Sequence, residues 1–91
     1  MLEVVFKSKF KKDLKKLKSS NRNEDELLSI IAKLANGEEL EPKYRDHALI
    51  GNYVGCRECH ITPDWLLIYQ VKETELALIL MRTGSLSELF R

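Results

Sequence analysis

The run Cys56-Arg57-Glu58-Cys59-His60-Ile61-Thr62-Pro63-Asp64-Trp65-Leu66-Leu67-Ile68-Tyr69-Gln70-Val71 holds two different strand patterns joined by a turn. Cys56 to Ile61 alternates, Pro63-Asp64 turns the chain, and Trp65 to Val71 is apolar on both faces, as a central strand is. Downstream, Lys72 to Thr74 makes a hairpin turn, and Glu75 to Arg82 returns as a further strand ended by Gly84. Ser85 to Phe90 reads as a short terminal turn or helix whose Leu89 or Phe90 docks on the body. Upstream, Glu38 to Asp46 is polar, contains Pro42 and reads as a loop. Before it, Asn23 starts a helix whose Glu24, Asp25 and Glu26 complement the positive end of the helix dipole. Leu27, Ile30, Ile31 and Leu34 supply its buried face, and Asn36-Gly37 closes it. Phe10, Leu14 and Leu17 mark an earlier helix, with Ser8 as N-cap and Ser19-Ser20-Asn21 as its break. Leu2 to Lys7 is rich in β-branched and apolar residues and reads as a strand. The order β-α-α-β-β-β, with room for one extra short strand, predicts an α+β domain over residues 1–91. It consists of a small antiparallel sheet with an N-terminal αα-hairpin packed on one face.

Ninety-one residues, 44% hydrophobic and 32% charged, suit one such domain and exclude wholesale disorder. No apolar run approaches the roughly 18 residues of a membrane span, and lysines enter too early in the first ten residues for a secretory signal. Two cysteines, Cys56 and Cys59, cannot build a disulfide scaffold. The expectation is a cytoplasmic, reduced protein without a membrane partner. The net charge of +1 hides a division, because seven lysines lie between Lys7 and Lys18 while acidic residues prevail further on. Such clustering permits a polyanionic partner, since binding follows local charge. A solvated helix face accounts for it equally well.

In the alternating strand, Cys56, Glu58 and His60 share one face and Arg57, Cys59 and Ile61 the other. A face with Glu and His two residues apart is either wet or the wall of a polar cleft, because Glu is rarely buried unpaired. Glu beside His holds the imidazole tautomer and suits acid–base work, although an exposed cross-strand pair looks the same in sequence. His47 in the preceding loop and Asp64 in the turn would complete a polar site if the fold brings them to the sheet. Cys56-x-x-Cys59-His60 is a poor zinc motif, since one pair is present and a regular strand points its thiols opposite ways. It is a poor redox motif too, lacking a helix N-terminus. Trp65, Leu67, Tyr69 and Val71 share a face and read as core. Arg82, at the end of the last strand, is better placed than Arg57 to hold a phosphate bidentately.

The run from Asp46 to Asp64 followed by Trp-Leu-Leu-Ile-Tyr closely resembles YafQ-type toxins of the RelE-like toxin–antitoxin superfamily. Their pattern is DHxLxGxxxxxRxxHxxPDWLLIY, then RTG(S/T)HxxLF near the C-terminus. The resemblance covers essentially the whole chain. It implies a compact ribonuclease that enters the ribosomal A site, cuts mRNA without a metal or other cofactor, and is silenced by a cognate DinJ/RelB-like antitoxin. Operator DNA would be reached only through that antitoxin. By position, His47 matches the histidine of DHxL, His60 that of RxxH, and Asp64 the aspartate of PDW. Glu58 stands where an acidic residue is often found, Arg82 matches the RTG arginine, and Phe90 matches the terminal aromatic that stacks on a base. Lys9, Lys12 and Lys16, with Arg57 and Arg82, are the implied RNA contacts.

One position departs from the pattern. The chain reads Gly84-Ser85-Leu86-Ser87-Glu88-Leu89-Phe90, so Leu86 occupies the place of the family histidine usually assigned as general acid. Leucine transfers no proton, and a positioned proton donor typically contributes about 10²–10⁴-fold. The expectation is therefore an attenuated nuclease. The alternative is a catalytically silent module that binds the antitoxin and acts in promoter autoregulation.

Overall fold

In a computed structural model, which describes residues 1–90, five strands form one sheet in the order β1-β5-β4-β3-β2. The strands are β1 (Glu3–Phe6), β2 (His47–Ala48), β3 (Arg57–Thr62), β4 (Trp65–Lys72) and β5 (Ala77–Gly84). Strands β2 to β5 run as an antiparallel meander, as their short connections require. The β2 strand is the extra short strand, formed inside a stretch otherwise read as loop. The sheet is mixed rather than wholly antiparallel, because β1 pairs parallel to β5, Val4 opposite Leu78 and Val5 opposite Ile79. No hairpin joins this pair; both helices and the whole meander separate its members in sequence, so the pairing sense is set by packing.

The helices are α1 (Ser8–Lys18), α2 (Glu24–Ala35) and the short α3 (Leu86–Leu89). Helix α1 is entered from an extended Lys7 without a side-chain cap, so Ser8 is its first residue and not its N-cap. At its end the Ser19 and Ser20 hydroxyls donate to the Lys16 and Leu17 carbonyls, satisfying acceptors that the helix leaves open. Asn23 caps α2 as the sequence indicates, its Oδ1 accepting from the Asp25 N–H at 2.9 Å. Gly37, at a φ of 75°, takes the left-handed turn after that helix.

Phe10 and Leu17 of α1 and Leu27, Ile30, Ile31, Leu34 and Ala35 of α2 pack on Cys59, Ile61, Trp65, Leu67, Tyr69, Leu78 and Leu80. Both helices thus cover one face of the sheet. On the opposite face a smaller cluster of Cys56, Leu66, Ile68 and Leu89 forms an apolar floor, joined by Leu49, Tyr53 and Met81. The alternation along β3 therefore holds, with Cys59 and Ile61 on the helical side and Cys56 on the other. Val71 alone of the expected core quartet lies at the surface.

A bulge decides what the second face carries. Ile68 pairs with Arg82 while the next residue, Tyr69, pairs with Leu80, which leaves Met81 as an extra residue in β5. A regular strand would put Arg82 on the helical side with Leu78 and Leu80; the added residue turns it to the other side. His47, Glu58, Ile68 and Arg82 consequently form one cross-strand row.

Candidate active site

The row His47–Glu58–Ile68–Arg82, together with His60 one pleat away opposite Leu66, lies on the helix-free face and makes the candidate cleft. Its centre is a pair: His47 Nε2 lies 3.0 Å from Glu58 Oε2, with the His47 side chain half exposed and Glu58 buried. On its other side the ring places Nδ1 2.6 Å from the Arg45 carbonyl. Arg45 adopts a left-handed conformation, φ 49° and ψ 41°, which costs a non-glycine residue about 1–2 kcal/mol. Both nitrogens of His47 face acceptors. The pair is satisfied either as imidazolium and carboxylate or as neutral imidazole accepting from a protonated Glu58. The second carboxylate oxygen, Glu58 Oε1, is buried with no hydrogen-bond partner among the described residues. An unsatisfied buried acceptor costs about 1–3 kcal/mol.

The two histidine rings lie 6.4 Å apart between centroids. His60 Nδ1 is 3.3 Å from the Pro63 carbonyl. A carbonyl only accepts, so this contact calls for the hydrogen on Nδ1, and in the neutral ring Nε2 then keeps its lone pair. Asp64 lies exposed in the turn directly after Pro63. Beyond His60, towards the start of α2, opens a cavity of about 740 Å³ lined in part by Tyr44, Arg45 and Thr62.

Helix α3 closes one end of the cleft. Ser85 and Glu88 form a reciprocal capping box, and the Ser85 amide and hydroxyl hold the Glu88 carboxyl below its ordinary pKa. Leu89 docks on the apolar floor. Leu86, on the first turn, is exposed and offers the cleft no polar atom. Phe90 remains 43% exposed and meets Tyr53 edge-on at 5.7 Å, giving an aromatic platform beside the floor.

The two arginines are already engaged. Arg82 donates from Nε and Nη2 to Asp13 Oδ2 and Oδ1 at 2.7 and 3.0 Å. The Asp13 carboxylate also accepts the Thr83 N–H at 3.1 Å, and it holds Arg82 above its already high pKa. The bidentate fork expected to hold a phosphate thus binds a buried carboxylate, with Tyr53 as a further neighbour. Arg57 does not face the cleft. Its Nε and Nη2 reach Asp46 Oδ1 at 2.7 and 2.6 Å from the opposite side of β3, where Tyr69 also donates to Asp46. Lys9, Lys12 and Lys16 are exposed on the outer side of α1, away from the core that Phe10 and Leu17 enter.

The fold therefore brings together His47, Glu58 and His60 and lines Arg82 and Phe90 along the same face. It places Arg57 and the lysines elsewhere. Sequence reasoning passed over Asp13, Asp46 and Tyr53. Asp13 carried a signal: it stands three residues after Phe10 and four before Leu17, inside the apolar stripe, where a carboxylate must be paired. Tyr53, in a single 3₁₀ turn over Gly51–Tyr53, had none.

Residues 2–91 match the family model described as the bacterial toxin of type II toxin–antitoxin systems, YafQ. The mRNA interferase toxin YafQ of Escherichia coli K12 is 32% identical over 89 residues, covering 97% of this chain and 95% of that protein. The crystal structure of a metal-bound toxin from Helicobacter pylori shares 46% identity and superposes with a TM-score of 0.92, over 99% of this chain and all of that one. YafQ in the crystal structure of the E. coli DinJ–YafQ complex shares 29% identity with a TM-score of 0.90, each chain covered in full. Among the described residues of this chain, no group of three or more His, Cys, Asp or Glu is disposed to hold a metal ion. Helices layered on one side of a mixed sheet, with a histidine-bearing cleft on the other, define a toxin of the RelE/ParE-like toxin–antitoxin superfamily. Within that class, the chain belongs to the YafQ family.

Proposed function

We propose that this toxin is a ribosome-dependent endoribonuclease that cuts mRNA by acid–base attack of a ribose 2′-hydroxyl on the adjacent phosphorus. The observation that carries the reading is the pair of imidazoles 6.4 Å apart, one bound to Glu58 and the other with a free Nε2. A phosphodiester seated between them is within reach of both rings. His60 Nε2 takes the 2′-hydroxyl proton as the new O–P bond forms. The 5′-oxygen then leaves, and the products are a 2′,3′-cyclic phosphate and a free 5′-hydroxyl. The His47 ring, held by Glu58, borders the phosphoryl oxygens, and the Arg82 guanidinium offsets the charge that develops on them. Phe90 with Tyr53 offers a stacking surface for a neighbouring base. No proton donor occupies the Leu86 position, so the leaving oxygen draws its proton from water and the rate suffers accordingly. Exposed lysines on α1 supply sequence-independent contacts to ribosomal RNA.

The experiment is primer extension on mRNA after induced expression, alongside the same RNA incubated without ribosomes. Codon-positioned cuts that require ribosomes and vanish in His60→Ala support the reading; ribosome-independent cutting refutes it. The exposed leucine at position 86 favours a second reading, a silent module that holds a DinJ-type antitoxin and, through it, operator DNA. Growth arrest without cuts, or tight antitoxin binding with neither, supports that one.

A further inference from the structure

We infer that Asp46, Arg57 and Tyr69 form a positioning clamp that fixes His47 against Glu58 from behind the sheet. The inference rests on the acid–base reading above and assigns these residues to that same site. Strand β2 is only two residues long, lies at the sheet edge, and both its residues are exposed. Its register on β3 is His47 opposite Glu58 and Ala48 opposite Arg57, extended by the Leu49 N–H to the Cys56 carbonyl at 2.9 Å. So short an edge strand frays when backbone bonds alone hold it. Yet the ring it carries must keep a 3.0 Å contact with a buried carboxylate.

The residue just before His47 supplies the anchor. Asp46 Oδ1 receives both Nε and Nη2 of Arg57, and its other oxygen receives the Tyr69 hydroxyl. Arg57 and Tyr69 are cross-strand partners on β3 and β4, so Asp46 is tied to two interior strands at once. Burial and the Asp46 carboxylate push the Tyr69 phenol above its usual pKa, so it remains a donor throughout the working range. Successive residues of an extended chain point to opposite faces. Holding Asp46 on the helical side therefore sends His47 to the cleft side, where the left-handed Arg45 presents its carbonyl to Nδ1. Arg57 in this arrangement acts through His47 and touches no RNA.

The test uses Asp46→Asn and Asp46→Ala in the full chain, with Tyr69→Phe as a second, nearly isosteric variant. The first readout needs no activity: the ring nitrogen and proton resonances of His47 by NMR. The clamp predicts that the signature of the His47–Glu58 hydrogen bond weakens or disappears in the Asp46 variants while the His60 resonances stay in place. An unchanged His47 signature overturns it. The second readout is single-turnover cleavage on programmed ribosomes, with Leu86→His present in every variant to raise the signal. A loss of 10- to 100-fold in the saturated rate, with half-saturation shifted less than threefold, is the expected outcome. Weaker half-saturation at an unchanged rate, above all in Arg57→Ala, overturns the clamp and returns Arg57 to RNA contact. Should the Leu86→His protein cut no mRNA, the nuclease reading fails, and the His47 resonances still decide the clamp.

Discussion

Glu58 combines burial with an incomplete set of partners at the level of one side chain. Its carboxylate is buried, pairs with His47 through one oxygen and leaves the other unpaired. Replacing a whole buried pair by apolar residues is often neutral or stabilising, whereas removing one partner leaves the other unpaired. Glu58→Met removes the unsatisfied oxygen while the half-exposed His47 turns to water, so the urea midpoint is expected to move by no more than about 1 kcal/mol of stability. Cleavage by the same variant should fall by about 100-fold, because His47 loses the partner that orients it. Leu86 makes the complementary case. It is exposed on the first turn of α3, so Leu86→His should leave the melting temperature nearly unchanged. If the missing proton donor limits the rate, mRNA cleavage in a translating extract rises by about 10²–10⁴-fold; an unchanged rate shows that position 86 is not limiting. Glu58 and His60 were legible as site candidates because a polar pair two apart on a strand shares a face. The same spacing could not say whether that face was wet or walled.

Between elements, the decisive contacts join parts of the chain that are far apart in sequence. Asp13 of α1 binds Arg82 and the Thr83 N–H of β5, covering the half of that strand that β1 does not reach. Asp13→Ala strands a largely buried guanidinium and a buried N–H, and should cost about 3–5 kcal/mol in chemical denaturation. Helix α3 depends on its capping box. Glu88 titrates below its ordinary value of 4.5, chiefly because the Ser85 N–H donates to its carboxylate at 2.6 Å. A folded pKa below the unfolded one contributes stability above the unfolded value and loses it as the pH falls. The protection factors of the Leu89 and Phe90 amides, corrected for intrinsic exchange, are thus expected to fall once the pH drops below about 4.5, and to do so in Glu88→Gln at neutral pH. The helices were legible from their apolar spacing. The bulge at Met81, which turns Arg82 from the helical side to the cleft, left no mark, because a bulge is one unpaired residue whose position depends on the partner strand.

Taken whole, the molecule keeps two charged features apart. The lysines of α1 lie on the outside of the helical layer, and the imidazole cleft lies on the other face of the sheet. If the lysines neutralise phosphates, ribosome affinity must weaken with salt by about 0.7–0.9 in log–log slope per contact. Lys9, Lys12 and Lys16 changed together to alanine should then flatten that slope by about 2–3, measured by sedimentation across a salt series. The cleavage rate on saturated ribosomes should hold. An unaltered slope assigns the lysines to plain solvation. The mixed character of the sheet belongs to this scale too: β1 and β5 are 70 or more residues apart, and only the assembled layers determine that they lie parallel.

The amino-acid order alone determined the periodic features: which stretches are helix or strand, which side chains alternate towards the helices, and where turns fall. These follow from backbone geometry repeating over a few residues, so local spacing encodes them. Tertiary structure decided that His47 meets Glu58, that Asp46 is grasped by Arg57 and Tyr69, and that Arg82 faces the cleft while bound to Asp13. Register, a bulge and a salt bridge between distant segments are properties of neighbouring strands packed together, and no single stretch of chain contains its neighbour.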